Sequence, residues 1–313
     1  MIPSKQIVIE AGDRVAPFVH RTPVLTSRLL NEMVGAEVFF KCENLQKMGA
    51  FKMRGAINAI QQLSEAQKKA GVVTHSSGNF GQALALAAKN LGVNAYIVMP
   101  SSAPAVKIEA VKSYGGLVTI TEPTLEAREK SAANIVAEKG AVFLHPSNDL
   151  NVIVGQGTAA LELLQDQPGL EYIMSPVGGG GLIAGTALAA HYLGNNCRVI
   201  GGEPMEVDDA YRAFKSGKIE YNTSTDTIAD GLKTNLGDIN FPIIMELVSD
   251  IIRVEEGEIV NAMKLIWERM KLVIEPSSAV PFAALLKERE KFKNKKVGII
   301  LSGGNVELSN LPF

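Results

Sequence analysis

Four consecutive glycines at residues 178–181 form the strongest local chemical signal in the chain. They follow a short apolar run that ends at Ser175, and an apolar stretch with helical spacing begins at Leu182. Glycine loses more chain entropy on folding than any other residue, so four in a row indicate a backbone that must approach something closely. Backbone amides at the start of a helix bind anions. The segment therefore predicts a phosphate site, with a flexible turn as the simpler alternative.

A phosphate site does not identify its ligand, and a dinucleotide is one candidate. Gly179, Gly181 and Ala184 have the spacing of a dinucleotide fingerprint. Glu203 follows roughly twenty residues later, where an acid would bind a ribose. The unit comes late in the chain, however, and the glycine run matches the fingerprint in several registers. A glycine fingerprint alone is a weak signal, so this alternative stays open.

A second group of candidate residues surrounds Lys52, which begins a stretch with helical spacing and has Phe51 and Met53 as neighbours. Apolar surroundings and a helix N-terminus both make the charged form of an amine less favourable. An uncharged amine is what a nucleophile requires. Most lysines are solvated surface residues, so this segment alone does not establish a catalytic role.

A third group lies in residues 74–82, where a strand-like run again leads into a helical pattern. Ser76, Ser77 and Asn79 are its polar side chains. Hydroxyls and free backbone amides at the start of a helix can bind a carboxylate. An ordinary helix cap has the same composition, so either interpretation is consistent with this segment.

The elements that would position these groups alternate along the chain. Strand-like runs cover residues 36–41, 72–74, 95–99, 117–121, 141–144, 172–175, 198–202 and 297–301. Helical spacing covers residues 51–63, 79–91, 104–114, 125–139, 152–164 and 259–271. The strand-like runs are mostly continuous apolar segments, which is typical of parallel strands covered on both faces. We predict an α/β protein with open, twisted, mostly parallel sheets flanked by helices, and a small domain (71–148) inserted in a large one (1–70 and 149–313).

Composition narrows the class of partner. The chain has 313 residues with 31 basic and 33 acidic side chains, and no block of like charge suggests binding to nucleic acid or to an anionic membrane. A small molecule is therefore the expected partner. The two cysteines, Cys42 and Cys197, are too few for a secreted disulfide framework, and the N-terminus lacks the apolar core of a signal peptide. These features predict a cytoplasmic protein.

The three segments, with Ser302-Gly303-Gly304-Asn305 after the last strand-like run, resemble the fold-type II pyridoxal-phosphate enzymes. The resemblance is strongest to the branch of serine racemases and serine/threonine and 3-hydroxyaspartate dehydratases. It runs from about His20 to Val306, with the motifs in the order of the family. It implies the two-domain, tryptophan synthase β-like fold, with a large cofactor-binding domain and a small substrate-binding domain. It also implies a homodimer, and a nucleotide becomes a candidate effector.

The resemblance implies a role for each matching residue. Lys52 would hold pyridoxal 5'-phosphate as a Schiff base and act as base on one face of the substrate, and Ser77 would be the acid on the opposite face. Other cofactor contacts would come from Phe51 against the ring, Asn79 at the ring hydroxyl, Ser302 at the pyridine nitrogen, and the phosphate-binding residues Gly178, Gly179, Gly180, Gly181 and Leu182. The substrate would contact Ser76, Ser77, Arg128 and Thr234.

The resemblance also gives Glu203 a different role. Glu203, the carbonyl of Val207, and Asp209 match the pattern that binds a divalent cation in serine racemases. Oxygen ligands without thiolate or imidazole favour Mg, Mn or Ca over Zn. A solvated acidic loop, which also contains Glu206 and Asp208, is the simpler alternative.

Three positions depart from the racemase pattern: Ala50 replaces serine, Phe80 replaces histidine, and Ser147 replaces asparagine. The implied activity is racemisation, β-elimination, or both, with serine, threonine or 3-hydroxyaspartate as substrate. A β-replacement enzyme of the cysteine synthase kind is one alternative. A catalytically silent binder of amino acids or nucleotides on the same fold is another. Phe80 keeps the silent binder open as an alternative, whereas the retained Lys52 argues against it, because a binder does not need that amine.

Overall fold

The computed structural model describes residues 2–313 and places them around two β-sheets. The strands are β1 (Val24–Leu25), β2 (Glu37–Cys42), β3 (Val72–His75), β4 (Ala95–Pro100), β5 (Leu117–Thr121), β6 (Val142–Phe143), β7 (Tyr172–Pro176), β8 (Arg198–Pro204), β9 (Val248–Val254) and β10 (Lys296–Leu301). The helices are α1 (Lys5–Val15), α2 (Arg28–Val34), α3 (Lys52–Gln61), α4 (Glu65–Ala70), α5 (Asn79–Asn90), α6 (Ala105–Ser113), α7 (Leu125–Lys139), α8 (Leu150–Asp166), α9 (Gly181–Leu193), α10 (Asp209–Ser216), α11 (Asn240–Leu247), α12 (Glu256–Met270) and α13 (Pro276–Lys287).

Within residues 2–313 the larger sheet has the strand order β1-β2-β10-β7-β8-β9, and the smaller sheet has the order β5-β4-β3-β6. Strand β1 pairs antiparallel with β2, and the remaining neighbours pair in parallel. The predicted α/β class with mostly parallel sheets is confirmed. The strands of the smaller sheet all fall inside the predicted small domain (71–148), whose exact boundaries stay a prediction. Met1, the first residue of the predicted large domain, lies outside the described residues.

Burial explains why most strands were recognisable from the sequence. In β10, for example, Val297, Ile299 and Ile300 are fully buried, because helices cover both faces of the larger sheet. Strand β9 was not predicted, since Asp250 and Arg253 interrupt its apolar pattern. Among residues 2–313, no helix has the length and apolar character needed to cross a bilayer.

Helix α8 lies between α3 and α9 in backbone-to-backbone contact. A Cβ atom added to Gly155 of α8 would lie 2.7 Å from the carbonyl oxygen of Arg54 in α3. A Cβ added to Gly157, two residues later, would collide with the backbone of Gly185 in α9. Only glycine permits both approaches. The spacing between the start of α3, which carries Lys52, and the start of α9 is therefore set by α8.

A buried ion network fixes α3 against its other neighbours. The Arg54 guanidinium donates to both carboxylate oxygens of Glu43, at 2.7 and 2.8 Å, and to both of Glu162, at 2.8 Å each. Lys41 Nζ lies 2.6 Å from Glu162. Buried charges are tolerated only when they are paired and hydrogen-bonded, and these four balance one another. The network holds the chain two residues after Lys52 in one position.

Candidate active site

Lys52 is the first residue of α3, and the residues before it are paired with the loop after β10. The amide of Phe51 donates to the carbonyl of Ser302 at 3.0 Å, and Ala50 forms a bridge with Gly303. The Lys52 amine donates to the carbonyl oxygen of Pro146 at 2.8 Å. This pairing brings Lys52 and Ser302, which are 250 residues apart in sequence, to the same site.

The surroundings of the Lys52 amine are apolar. Its Nζ lies 4.9 Å from the centre of the Phe51 ring and 5.8 Å from the centre of the Phe80 ring. Desolvation lowers the pKa of Lys52 to about 7, and the negative charge of Glu275 opposes this shift. A large fraction of the amine is therefore uncharged at neutral pH. The prediction that the local environment disfavours the charged form agrees with this geometry.

Phe80 lies in the core and also reaches the Lys52 amine. Its side chain is almost fully buried in an apolar cluster that includes Met48, Ala50 and Met53. Because Phe80 directly follows Asn79 in sequence, we expect its side chain to point toward the substrate, and this stays a prediction. The structure places the Phe80 ring in the apolar cluster and 5.8 Å from the Lys52 amine, so the ring belongs both to the core and to the surroundings of that amine.

The four glycines form a tight loop, the glycine cradle (residues 178–181), between β7 and α9. Gly180 has a left-handed backbone conformation with φ of 79°. A Cβ at Gly178 would lie 2.7 Å from the Cα of Leu232, and one at Gly180 would lie 2.8 Å from Asn240 Oδ1. Asn240 also donates to the carbonyl of Gly179 at 2.8 Å. The cradle therefore has room for backbone only.

The start of α9 presents backbone amides without a side-chain cap. The first turn of a helix leaves such amides without a partner in the helix, and they attract anions. Leu182 lies buried in this turn, and Thr234 stands beside the cradle, since a Cβ on Gly179 would lie 2.9 Å from its Oγ1. An uncapped helix start, close backbone packing and a desolvated amine together fit the phosphate and the aldehyde of pyridoxal phosphate.

Asn79 and Ser302 are held by different polar side chains. The Asn79 amide donates to the Glu275 carboxylate, and Asn305 donates to Asn79 Oδ1 at 2.9 Å. The Ser302 hydroxyl is buried and lies 3.0 Å from the hydroxyl of Ser278. Ser302 therefore presents an uncharged hydroxyl group, and its contact with a pyridine nitrogen stays a prediction.

Ser76 and Ser77 lie half-buried between β3 and α5. The N-cap of α5 is Gly78, and no side chain caps the helix. Ser76 Oγ accepts from the amide of Gly78 at 3.3 Å. Ser77 is thus not a helix cap, and the start of α5 keeps amides available for an anion.

Arg128 lies on α7 and donates through Nε to the carbonyl of Thr124 at 3.3 Å. Its charge contributes to lowering the pKa of His75, after the larger effect of burial. His75 is the last residue of β3, directly before Ser76. Arg128 therefore lies near the end of β3 that leads into Ser76 and Ser77, on the side of the smaller sheet.

The predicted cation-binding acids are buried. Glu203 accepts from the amides of Ala210, at 2.9 Å, and Tyr211, at 2.7 Å, and Asp209 accepts from the amide of Leu236 at 3.1 Å. Burial, followed by the charge of Asp209, raises the pKa of Glu203 well above its usual value. Burial also raises the pKa of Asp209 to about 6. The negative charge of Asp209 opposes ionisation of Glu203, and a bound cation would relieve that repulsion.

The protein supplies few metal ligands at this position. Within residues 2–313, no group of three or more His, Cys, Asp or Glu side chains is arranged to hold a metal ion. Val207 is buried in a short 3₁₀ turn, four residues after Glu203 and two before Asp209. The role of its backbone carbonyl as a third ligand beside the two carboxylates stays a prediction.

Several residues at the site were not found from the sequence. Glu275 lies immediately before α13, is buried, and has its pKa raised to about 7 by burial and then by Asp230. His145 accepts from the amides of Ser147 and Asn148 through Nδ1, and burial lowers its pKa to about 4. These residues lie in segments without a recognisable motif, so only the fold reveals them.

The chain is similar to known proteins over nearly its whole length. The family model of the pyridoxal-phosphate dependent enzymes matches residues 15–303. Serine racemase of Dictyostelium discoideum is 51% identical over 306 residues, covering 96% of this chain and 94% of that protein. The beta-hydroxyaspartate dehydratase of Paracoccus denitrificans is 47% identical over 312 residues, covering 100% of this chain and 99% of that protein.

The fold agrees with these relatives. The structure of maize serine racemase superposes with a TM-score of 0.96 at 46% identity, covering 99% of this chain and 95% of that chain. The predicted resemblance to serine racemases and 3-hydroxyaspartate dehydratases is confirmed. The dinucleotide alternative for the glycine run is therefore wrong, and in the structure the Glu203 carboxylate binds the start of α10. The chain belongs to the pyridoxal-phosphate dependent enzyme family.

Proposed function

We propose that this enzyme racemises hydroxy amino acids, eliminates water from them, or does both, with serine, threonine or 3-hydroxyaspartate as substrate. The observation that carries the proposal is the Lys52 amine, which is desolvated, has a pKa of about 7 and bonds to a backbone carbonyl rather than to a carboxylate. Such an amine can form a covalent bond and can also take up a proton near neutral pH. The named relatives include both a racemase and a dehydratase.

When bound, pyridoxal phosphate supplies an electron sink that makes the proton on the substrate α-carbon acidic. The glycine cradle would hold its phosphate, Asn79 would contact the ring hydroxyl, and Phe51 would pack against the ring. Ser302 would face the pyridine nitrogen with a neutral hydroxyl, so the ring would stay unprotonated. An unprotonated ring would be a weaker electron sink, so the proton donors around the substrate would have more control over which product forms.

The two proposed reactions share one base and differ in the second proton transfer. Lys52 would remove the α-proton from one face of the substrate. Racemisation then requires a donor on the opposite face, and Ser77 is our candidate because its hydroxyl is not used as the cap of α5. The amides of α5, with Ser76 and Arg128, would bind the substrate carboxylate. Thr234, beside the cradle, would contact the substrate from the larger domain.

A panel assay tests the proposal. The purified enzyme, with pyridoxal phosphate bound, is mixed with both enantiomers of serine, threonine and 3-hydroxyaspartate. Keto acid and the opposite enantiomer are both measured. We expect at least one of these substrates to give keto acid or inverted amino acid. Turnover of none of them, with O-acetylserine and sulfide accepted instead, would favour a β-replacement enzyme.

We further propose that Glu203, Asp209 and the carbonyl of Val207 hold a divalent cation such as Mg, Mn or Ca. The support is the burial of both acids and the raised pKa of each carboxyl group. All the ligands would be oxygen atoms, which suits these hard cations. The remaining coordination positions would be filled by water, since the protein offers few ligands.

We also propose a homodimer in the cytoplasm. Leu29 and Met33 lie one turn apart on α2 and are largely exposed, as apolar side chains at a subunit contact would be in one isolated chain. Cys42 and Cys197 are both free and buried, which suits a reducing compartment. Sedimentation at twice the mass of the chain would support the dimer.

Adding ATP to the panel assay tests the candidate nucleotide effector. A changed rate would support the effector, and an unchanged rate would exclude it.

A further inference from the structure

The carbonyl oxygen of Pro146 accepts two hydrogen bonds from different parts of the fold. Lys52 Nζ donates to it at 2.8 Å, and the carboxamide of Gln156 donates through Nε2 at 3.0 Å. Gln156 is fully buried in α8. A carbonyl that accepts two hydrogen bonds is held in a defined orientation. The position of the free Lys52 amine therefore depends on a glutamine that lies outside the motifs found in the sequence.

The other end of the Gln156 carboxamide faces the glycine cradle. A Cβ added to Gly181 would lie 2.5 Å from Gln156 Oε1, and in the described part of the chain this buried oxygen has no donor. Exchanging the oxygen and nitrogen positions would place two acceptors, Oε1 and the Pro146 oxygen, against each other. The contact with Pro146 thus determines the orientation of the amide. An unpaired buried acceptor destabilises the fold, so the hydrogen bond from Nε2 to Pro146 is formed at the cost of leaving Oε1 without a donor.

The glycines on either side of Gln156 bring α8 into contact with the helix that carries Lys52 and with the helix that begins at the glycine cradle. Gly155 lets α8 touch α3, which begins with Lys52, and Gly157 lets α8 touch α9, which begins at the cradle. Gln156 stands between these two contacts and bonds to the acceptor of the Lys52 amine. The segment 155–157 therefore sets both the distance from Lys52 to the cradle and the direction of the amine.

We infer that Gln156 is a positioning residue that holds the Pro146 carbonyl where it receives the free amine of Lys52. It would act whenever the Lys52 amine is free. That is the case before the cofactor attaches to Lys52, and again while the cofactor is attached to the substrate. The inference rests on the proposed role of Lys52 as the attachment site. Since misplacing a reacting group by about 1 Å costs up to roughly a hundredfold in rate, losing this contact should slow covalent attachment.

The test measures how fast protein freed of cofactor attaches pyridoxal phosphate, followed by absorbance and by borohydride trapping. Gln156→Met keeps the length of the side chain and removes the amide. We expect attachment to slow by about ten- to a hundredfold. Asn58→Leu is the matched control, because Asn58 is also a buried amide that joins α3 to α8, donating to the carbonyl of Asn151. It should lower the melting temperature similarly and leave the attachment rate unchanged.

The outcomes separate this inference from the proposal on which it rests. Wild-type protein that does not attach the cofactor through Lys52 would overturn both. Attachment by wild type with an equal rate in Gln156→Met, or equal slowing in Asn58→Leu, would overturn the role of Gln156 alone. Should Gln156→Met fail to fold, Gln156→Leu replaces it. Leucine also has no donor for the Pro146 carbonyl, so the same slowing is expected and a normal rate again contradicts the inference.

Discussion

The Asn79 carboxamide donates to both carboxylate oxygens of Glu275, at 3.0 and 3.1 Å. The contact joins the first residue of α5, on the smaller sheet, to the residue before α13, which packs on the larger sheet. Asn305 holds the other end of the Asn79 amide. Because Asn79 is also the proposed contact of the cofactor hydroxyl, Glu275 connects cofactor binding with the joining of the two sheets.

Glu275 should make stability depend on pH. Burial raises its pKa in the folded protein to about 7, whereas the unfolded chain should show the usual value of 4.5. Between these values the folded protein binds more protons, so its free energy of unfolding should fall as pH rises. In Glu275→Gln, this fall in the free energy of unfolding should be smaller by up to about 3 kcal/mol. Urea unfolding across the pH range measures it, and parallel curves for the two proteins would contradict the prediction.

Ser77→Ala should separate the two reactions. Removing a positioned proton donor costs roughly 10²- to 10⁴-fold, so racemisation should nearly disappear. Elimination from the L-substrate needs only Lys52 and the departing hydroxyl group and should largely survive, whereas elimination from the D-substrate should fall with racemisation. Since Ser77 does not cap α5, the melting temperature should change little. Equal losses of both reactions in folded protein would exclude the two-face assignment.

The cation proposal predicts different responses from two adjacent acids. Chelation should lower the melting temperature of the wild type, because a ligand that binds only the folded state stabilises it. Asp209→Asn should have a lower melting temperature that no longer responds to chelator. Asp208→Asn is the control, since Asp208 pairs with Arg212 and Arg253 and should leave the chelator response intact. If neither chelation nor added Mg or Mn changes the melting temperature of the wild type, Glu203 and Asp209 hold no cation and have only a structural role.

The glycine cradle should bind the phosphate group of the cofactor rather than its ring. Gly180→Ala places a Cβ 2.8 Å from Asn240 Oδ1 at a left-handed position, so affinity for pyridoxal phosphate should fall by about tenfold or more. Binding of pyridoxal, which lacks the phosphate, should change much less. Gly217→Ala is the control, because Gly217 is also left-handed and its Cβ would meet open space. An equal loss of both ligands would show that the cradle does not hold the phosphate.

The sequence allowed the strand-to-helix turns to be located because each carries a local signal. Apolar runs mark the buried strands, and glycine and serine segments mark the helix starts where the site forms. Helix α13 was missed, since it begins at Pro276, continues with two serines and contains Pro281, a composition typical of a loop. The outer strand β1 was also missed, because two residues are too short to show a pattern.

The contacts within the site were less predictable than its location. Glu275 is 196 residues from Asn79 in sequence, and Gln156 is separated by 104 residues from Lys52. No local spacing relates such residues. Burial in the folded protein also creates their properties, such as the raised pKa of Glu275. Phe80 illustrates the same limit, since its position after Asn79 predicts a substrate contact, whereas its burial in an apolar cluster is apparent only in the fold.

The attachment of the cofactor to Lys52 is the central claim, and one measurement tests it most directly. The enzyme with bound pyridoxal phosphate is reduced with borohydride, digested, and mapped by mass spectrometry, with Lys52→Ala treated in parallel. We predict that the cofactor mass lies on the peptide containing Lys52 and is absent from the variant. A label on another lysine, or an active wild-type enzyme without any labelled peptide, would contradict the account.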